Sequence, residues 1–179
     1  MIIYLNGASS SGKSSIAQAL IKLSLQPLEH IEGDDIFNKN RIISEEKSES
    51  SSVITLHSTR DMIRTAVKAG KSVIWEEPVF HQNELFHRVT ALGLQVALYL
   101  IDVYCSLDLC EVRERKRRDR GIGLARAMHA FVYKRMPTRD ITVDSSQMKS
   151  EDNAQIILDF IQKNPEPMAF KNYLQKRRL

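Results

Sequence analysis

One short run of residues constrains this chain more than any other feature. Residues 7–14 read Gly-Ala-Ser-Ser-Ser-Gly-Lys-Ser and directly follow the apolar segment Ile2-Ile3-Tyr4-Leu5. An apolar strand, a glycine-rich turn and a helix in this order form a phosphate-binding loop, because successive backbone N–H groups point at an anion beside the helix N-terminus. The chain is therefore expected to bind a polyphosphate.

The spacing within this loop assigns individual roles. Lys13 is predicted to reach the β- and γ-phosphates, and the Ser14 hydroxyl is predicted to hold Mg²⁺. A chance glycine- and serine-rich turn is the alternative, but the helical spacing of Ile16, Leu20 and Leu23 argues against it. We predict ATP and Mg²⁺ as cofactors, with the nucleotide held by Gly7, Ala8, Ser9, Ser10, Ser11, Gly12, Lys13, Ser14, Ser15 and Arg113.

Length and composition narrow the class of protein. The chain has 179 residues, the size of one domain with its own core. No apolar run approaches a membrane span of about 20 residues, and the first residues already form the strand before the loop, so neither a signal peptide nor a membrane contact is expected. Cys105 and Cys110 have no metal-ligand companions, which favours reduced thiols. We therefore expect a cytoplasmic protein.

Segments of strand length alternate with segments of helical periodicity. This alternation predicts an α/β fold with a doubly wound, parallel sheet of five strands. By contrast, residues 38–56 are rich in Ser and Glu and show no period, so we expect a long polar loop there. The strands are predicted at residues 2–5, 28–32, 72–75, 96–103 and 141–143.

Two aspartates follow the second predicted strand. Catalytic groups of such folds gather at the carboxyl ends of the strands, and transfer to an alcohol needs a carboxylate beside the acceptor hydroxyl. We predict Asp35 as the general base. Asp34 is the competing choice because adjacent residues that leave a strand point in opposite directions, and either residue could instead cap the following helix.

Two glutamates end the third predicted strand. If that strand neighbours the phosphate loop, one of them could hold Mg²⁺ through a water or bind the acceptor. We predict Glu77, together with Ser14, as the metal-binding residue. The alternative for Glu76 and Glu77 is an exposed charge at a strand end.

A basic block follows the fourth predicted strand. Arg113 and Arg117 share one helical face, and Arg120 precedes the glycines Gly121 and Gly123. Guanidinium groups on a glycine-hinged lid can neutralise the charge that spreads over a transferred phosphoryl group. We predict an Arg-rich lid in which Arg117 and Arg120 are catalytic. The alternative is a solvated helix face.

Four segments together resemble a known family. They are the phosphate loop with Ile3-Tyr4-Leu5-Asn6 before it, Gly33-x-Asp35, Arg113-Glu114-x-x-Arg117-x-Asp119-Arg120, and Asp140-x-x-Val143-Asp144-Ser145. In order and approximate spacing the chain resembles the chloramphenicol phosphotransferase-like P-loop kinases. The resemblance implies a kinase-type fold over residues 1–163, ATP-dependent transfer to a hydroxyl, and Asp35 as the catalytic base. Residues 164–179 would form a basic tail with a frayed surface terminus.

The resemblance does not identify the acceptor, because residues 38–56, where the family forms its acceptor pocket, differ here. We expect an ATP- and Mg²⁺-dependent phosphotransferase that acts on a small-molecule hydroxyl, with Lys13 among its catalytic residues. A kinase for an RNA or nucleotide hydroxyl is one alternative, suggested by the formal net charge of +4. A non-catalytic, nucleotide-gated module that binds another protein is the other.

Overall fold

A sheet of five parallel strands, in the order β2-β3-β1-β4-β5, forms the centre of the molecule. The computed structural model describes residues 1–33, 36, 51–77, 82–117, 122–134 and 138–176. The predicted doubly wound sheet is confirmed, since helices cover both of its faces. The strands are β1 (Ile2–Asn6), β2 (Leu28–Glu32), β3 (Ser72–Glu76), β4 (Leu98–Tyr104) and β5 (Ile141–Asp144).

The described helices occupy the connections between these strands and the chain end. None of them is both long and apolar enough to cross a bilayer. They are α1 (Lys13–Leu23), α2 (Ser51–Lys68), α3 (Gln82–Leu92), α4 (Leu107–Lys116), α5 (Leu124–Lys134), α6 (Ser150–Lys163) and α7 (Ala169–Lys176).

Helix α2 begins earlier than the sequence suggested. The expected loop over residues 38–56 is wrong for its last part, because residues 51–56 belong to α2. Two serines followed by three β-branched residues have modest helix propensity, which concealed the start of this helix. Residues 38–50 lie outside the described part of the chain.

Strand β1 is buried on both faces, as expected of an interior parallel strand. Ile2 and Tyr4 pack toward α2 and α3, whereas Ile3 and Leu5 pack toward α1 and α6. The register pairs Leu5 with Glu76 of β3, and it pairs Asn6 with Asp102 of β4. The loop after β1 therefore emerges between the carboxyl ends of β3 and β4.

The C-terminal segment packs on the core instead of fraying. Phe86 of α3 stacks on Tyr173 at 3.6 Å and on Phe170 at 5.1 Å between ring centroids. The Asp140 carboxylate accepts two backbone N–H groups at the start of α7, at 2.7 and 2.9 Å, and so caps that helix. The expectation of a frayed terminus is therefore wrong for residues 164–176.

The packing of α7 leads to a stability prediction. We expect Tyr173→Ala to lower the free energy of unfolding by about 3 kcal/mol, because it leaves a cavity where a buried ring stacks on Phe86. The control is Leu174→Ala, since Leu174 is 41 % exposed. Urea denaturation measures the free energy of unfolding of both variants. Equal, small decreases in that free energy would show that α7 adds little stability.

Candidate active site

The loop after β1 has the backbone of an anion-binding turn. Ser10 and Gly12 have positive φ angles of 61° and 95°, in the left-handed region. Residues of this kind in a turn give a concave backbone whose N–H groups can converge on an anion. A Cβ on Gly7 would lie 2.6 Å from the Ser11 Oγ and 2.7 Å from the Val103 carbonyl oxygen, so only glycine fits there.

The polar groups of this loop fit a polyphosphate. The Ser10 and Ser11 hydroxyls are buried and have no hydrogen-bond partner within the described part of the chain. The Lys13 ammonium is also buried, and it donates to the carbonyls of Gly7 at 3.0 Å and Ala8 at 3.1 Å. Helix α1 begins at Lys13 with no acidic residue in its first turn, so its partial positive charge is not offset there.

A carboxylate lies beside the predicted metal-binding hydroxyl. Ser14 Oγ donates to Glu76 Oε1 at 2.8 Å, and Glu76 Oε2 lies 3.1 Å from Nε2 of His30. Burial raises the pKa of Glu76, but the hydrogen bond from His30, the charge of Lys13 and the hydrogen bond from Ser14 outweigh it, and the pKa lies below its ordinary value. A carboxylate and a hydroxyl are oxygen ligands that suit Mg²⁺.

Glu32 adds a third donor to this side of the sheet. Glu32 and His30 are two residues apart in β2 and therefore point to the same face. One ligand atom from each of His30, Glu32 and Glu76 lies within 4.8 Å of the others. The groups that could bind a metal thus lie between α1 and the carboxyl ends of β2 and β3.

The structure brings Glu76, and not the predicted Glu77, to the Ser14 hydroxyl. Glu77 Oε2 instead accepts the Trp75 indole N–H at 3.2 Å, and Glu77 Oε1 forms an ion pair with Arg88 of α3 at 2.5 Å. Successive side chains of a strand point to opposite faces. Glu76 therefore faces α1, while Trp75 and Glu77 face α3.

Arg113 lies beside the phosphate loop, where it holds several carbonyl and hydroxyl oxygens together. Its Nη1 donates to Ser145 Oγ at 3.0 Å and to the carbonyls of Ser10 and Ser11 at 3.5 and 3.4 Å. Its Nη2 donates to the Ser145 carbonyl at 2.8 Å. The Arg113 side chain thus links the loop after β1 to the turn after β5.

Arg113 also contacts a buried thiol. Its Nη1 lies 3.4 Å from Cys105 Sγ. A hydrogen bond from Cys110, together with Ser145 and the charge of Arg113, lowers the pKa of Cys105 to about 6, although burial acts in the opposite direction. Both cysteines are buried, and neither forms a disulfide.

A cavity of about 450 Å³ lies over the loop. Seven of the predicted site residues line it, so the structure brings them together: Ser10, Gly12, Lys13, Ser14, Ser15, Arg113 and Arg117. Met148, in the turn after β5, lines it as well. Asp35 and Arg120 lie outside the described residues, as do residues 118–121 of the predicted lid.

Sequence reasoning missed three residues of this site, which are His30, Glu32 and Tyr133. His30 is not spaced from other histidines or acidic residues in a metal-ligand pattern, so the sequence offered no reason to select it. The parallel pairing of β2 with β3 places it beside Glu76. Tyr133 of α5 accepts the Ala8 N–H at 3.3 Å and donates to the Val103 carbonyl at 2.8 Å. An aromatic residue on an apolar helix face gave no signal of this contact with the phosphate loop.

Comparisons with known proteins match the chain to kinases. An adenylyl-sulfate kinase from Oceanobacillus iheyensis is 27 % identical over an alignment of 172 positions, which covers 89 % of this chain and 83 % of that protein. An unliganded sugar kinase from Janibacter sp. superposes with a TM-score of 0.68 at 17 % identity, over 92 % of this chain and 95 % of that one. The APS kinase of Mycobacterium tuberculosis, in complex with AMPPNP and APS, gives 0.63 at 18 % identity over 90 % and 96 %.

A family match covers most of the chain. The model of the chloramphenicol phosphotransferase-like proteins matches residues 1–162, a stretch that contains the phosphate loop, Glu76, Arg113 and Ser145. This stretch includes every strand of the sheet and every contact of the loop described above. The chain therefore belongs to the chloramphenicol phosphotransferase-like family, as its motifs predicted, and its fold and enzyme class are those of a P-loop kinase.

Proposed function

We propose that this protein transfers the γ-phosphoryl group of ATP to a hydroxyl of a small molecule, with Mg²⁺ as cofactor. The observation that carries the proposal is the combination, in one cavity, of an anion-binding loop and the Ser14–Glu76 pair. Family membership supports phosphotransfer. The adenylyl-sulfate kinase and the sugar kinase are named for small-molecule acceptors, which supports that acceptor class here.

The loop residues bind and orient the nucleotide. Lys13 supplies a buried positive charge, and the hydroxyls of Ser10 and Ser11 are donors without partners among the described residues. Arg113 fixes the loop backbone through the Ser10 and Ser11 carbonyls, and a loop held in this way is preorganised to bind phosphate oxygens. When bound, ATP supplies the phosphoryl group, and Mg²⁺ neutralises charge on the phosphate oxygens.

Ser14 and Glu76 would hold the metal. The carboxylate is ionised and fixed at both oxygens, by Ser14 on one side and His30 on the other. We therefore place the metal role predicted for Glu77 on Glu76. Glu77 keeps a structural role, because its carboxylate pairs with Arg88.

These neighbouring glutamates give a matched experiment. We expect Glu76→Gln to weaken Mn²⁺ binding to the ATP complex about tenfold or more, since loss of a residue that orients a metal ligand typically costs 10–100-fold in affinity. Paramagnetic resonance of Mn²⁺ measures this directly. Glu77→Gln should leave Mn²⁺ affinity close to the wild-type value. Equal losses of Mn²⁺ affinity in both variants, or a loss confined to Glu77→Gln, would contradict our assignment of the metal role to Glu76.

The acceptor side is proposed around Asp35. Gly33, two residues before Asp35, lies beside Glu77, since a Cβ there would be 3.0 Å from the Glu77 Cγ. The chain segment that carries Asp35 thus starts at the carboxyl edge of β2 and β3. We propose that Asp35 accepts the proton of the acceptor hydroxyl, and that Arg117 and Arg120 neutralise the equatorial oxygens of the transferred group.

Nucleotide binding and turnover can be measured separately. Calorimetry should show ATP binding that strengthens with Mg²⁺, and ADP release should depend on an added hydroxyl compound. A protein that binds ATP but releases no ADP with any alcohol would be a nucleotide-gated binding module. Binding to RNA that weakens steeply with salt would instead favour a nucleic-acid acceptor.

A further inference from the structure

Strand β2 directs a histidine and a glutamate to the same face of the sheet. His30 and Glu32 are separated by one residue, so both side chains lie on the face that packs against α1. Ile31, between them, belongs to the core on the opposite face. The parallel register pairs Glu32 with Glu76 of β3. One imidazole and two carboxylates from neighbouring strands therefore meet on this face.

The donor atoms of these three side chains are close enough to bind one ion. One ligand atom of each lies within 4.8 Å of the others, and His30 Nε2 lies 3.1 Å from Glu76 Oε2. Two protein ligands at about 2.0–2.2 Å from one Zn²⁺ ion are themselves about 3–4 Å apart. Small side-chain rotations are therefore sufficient to place all three donors on one ion.

The donor set favours a transition-metal ion over Mg²⁺. Mg²⁺ takes oxygen ligands, whereas imidazole nitrogen is a common ligand of Zn²⁺ and of other first-row transition ions. A histidine and two carboxylates supply three ligands of a tetrahedral Zn²⁺ site, and water can supply the fourth. The set thus differs from the Ser14–Glu76 pair, which offers only oxygen atoms.

Charge and access also suit a divalent cation at this point. The Glu32 and Glu76 carboxylates repel each other at this separation unless positive charge lies between them. Glu76 lines the cavity over the phosphate loop, and the side chain of His30 is 13 % exposed. An ion can therefore reach these donors from solvent without opening the core.

The two oxygens of the Glu76 carboxylate face different groups. Oε1 accepts the hydrogen bond from Ser14 at 2.8 Å, and Oε2 faces His30. A carboxylate in this arrangement can bridge two cations, as in sites that hold two metal ions about 3.5–4 Å apart. An ion between His30, Glu32 and Glu76 is therefore compatible with Mg²⁺ beside Ser14.

We propose that His30, Glu32 and Glu76 form a binding site for one transition-metal ion of the Zn²⁺ type, and that this ion binds without nucleotide. It is distinct from the Mg²⁺ that accompanies ATP, although both ions contact the Glu76 carboxylate. The inference goes beyond the proposed function, because the site binds its ion whether or not the protein transfers phosphate.

Co²⁺ is the spectroscopic probe, because its visible absorption reports the type and number of its ligands. Metal-free, full-length protein is titrated with Co²⁺ in the absence of nucleotide. We expect saturation at one Co²⁺ per chain, with the spectrum of an ion that has nitrogen and oxygen ligands, and displacement by one equivalent of Zn²⁺. A roughly hundredfold excess of Mg²⁺ should leave this spectrum in place, since the imidazole favours transition ions.

Matched variants locate the ion. His30→Gln and Glu32→Gln should each weaken Zn²⁺ binding at least tenfold, because each removes a ligand, and loss of even an outer partner of a metal site costs about 10–100-fold. Glu29→Gln is the control in the same strand, since Glu29 pairs with Lys71 at 2.9 Å. His57→Gln, at an exposed position of α2, is the control for loss of a histidine. Calorimetry with Zn²⁺ should give the wild-type affinity for both controls.

The outcomes separate this inference from the proposed function. Weaker Zn²⁺ binding in His30→Gln and Glu32→Gln, with both controls unchanged, supports the site. Unchanged affinity in His30→Gln or Glu32→Gln, displacement of Co²⁺ by Mg²⁺, or the near-ultraviolet band of a cysteine thiolate on Co²⁺ would overturn it. Absence of Zn²⁺ binding by the wild-type protein would also overturn it. Failure to bind ATP would instead overturn the proposed function and leave this inference intact.

Discussion

Asp35→Asn is expected to slow phosphoryl transfer to an alcohol by about 10²–10⁴-fold, the usual value of general-base assistance. The substitution is nearly isosteric, so the fold and the affinity for ATP should stay close to wild type. Slow hydrolysis of ATP should persist, because Lys13 and Ser14 remain in place. The measurement is kcat for ADP release with and without acceptor.

Asp34→Asn is the matched control for this prediction. It removes the same charge one residue earlier in the chain, and we expect it to cost much less. If Asp34→Asn is the inactive variant and Asp35→Asn the active one, the base is Asp34. The orientation that we predict for the chain after β2 would then be wrong by one residue.

Lys13→Ala is expected to abolish transfer and to lower ATP affinity at least tenfold, which is about 1.4 kcal/mol. The ammonium of Lys13 lies in the phosphate loop, where it contacts the Gly7 and Ala8 carbonyls. Calorimetry measures the affinity. Lys22→Ala removes a lysine from an exposed position at the other end of α1 and should change neither property. Unchanged ATP affinity in Lys13→Ala would mean that the loop does not hold phosphate.

The sequence was sufficient for the sheet and for the phosphate loop. Interior parallel strands are largely apolar, so β1 and β4 are recognisable as short, mostly apolar runs. Gly7 is required because a Cβ there would clash with Ser11 and Val103. A glycine at this position of the phosphate-loop motif can be recognised in the sequence. The apolar runs and the glycine spacing were therefore enough to predict the strands and the phosphate loop.

The choice between two adjacent glutamates could not be made from the sequence. A shift of one residue at a strand end exchanges the faces of every side chain. Glu76 faces α1 and bonds to Ser14, whereas Glu77 faces α3 and pairs with Arg88. Both residues end the same apolar run, and only the pairing of β3 with β1 and β2 distinguishes them.

Long-range contacts explain the other differences between the sequence-based predictions and the structure. Asp140 caps α7 from the start of β5, and Phe86 stacks on α7 from α3. Neither contact has a signature in the local sequence, so the C-terminal segment resembled a loose basic tail. Arg113 was predicted to bind the nucleotide, and its bonds to the Ser10 and Ser11 carbonyls show that it fixes the phosphate loop itself.

Phosphorus NMR of a reaction mixture tests the central claim most directly. The protein is incubated with ATP, Mg²⁺ and a set of acceptors that contains neutral alcohols, nucleosides and an oligoribonucleotide. We predict that ADP and a new phosphomonoester appear in equal amounts, that the ester is on an alcohol other than a nucleoside or the oligoribonucleotide, and that Lys13→Ala gives neither product. Persistence of ATP with every acceptor, or an ester on the oligoribonucleotide alone, would contradict the assignment.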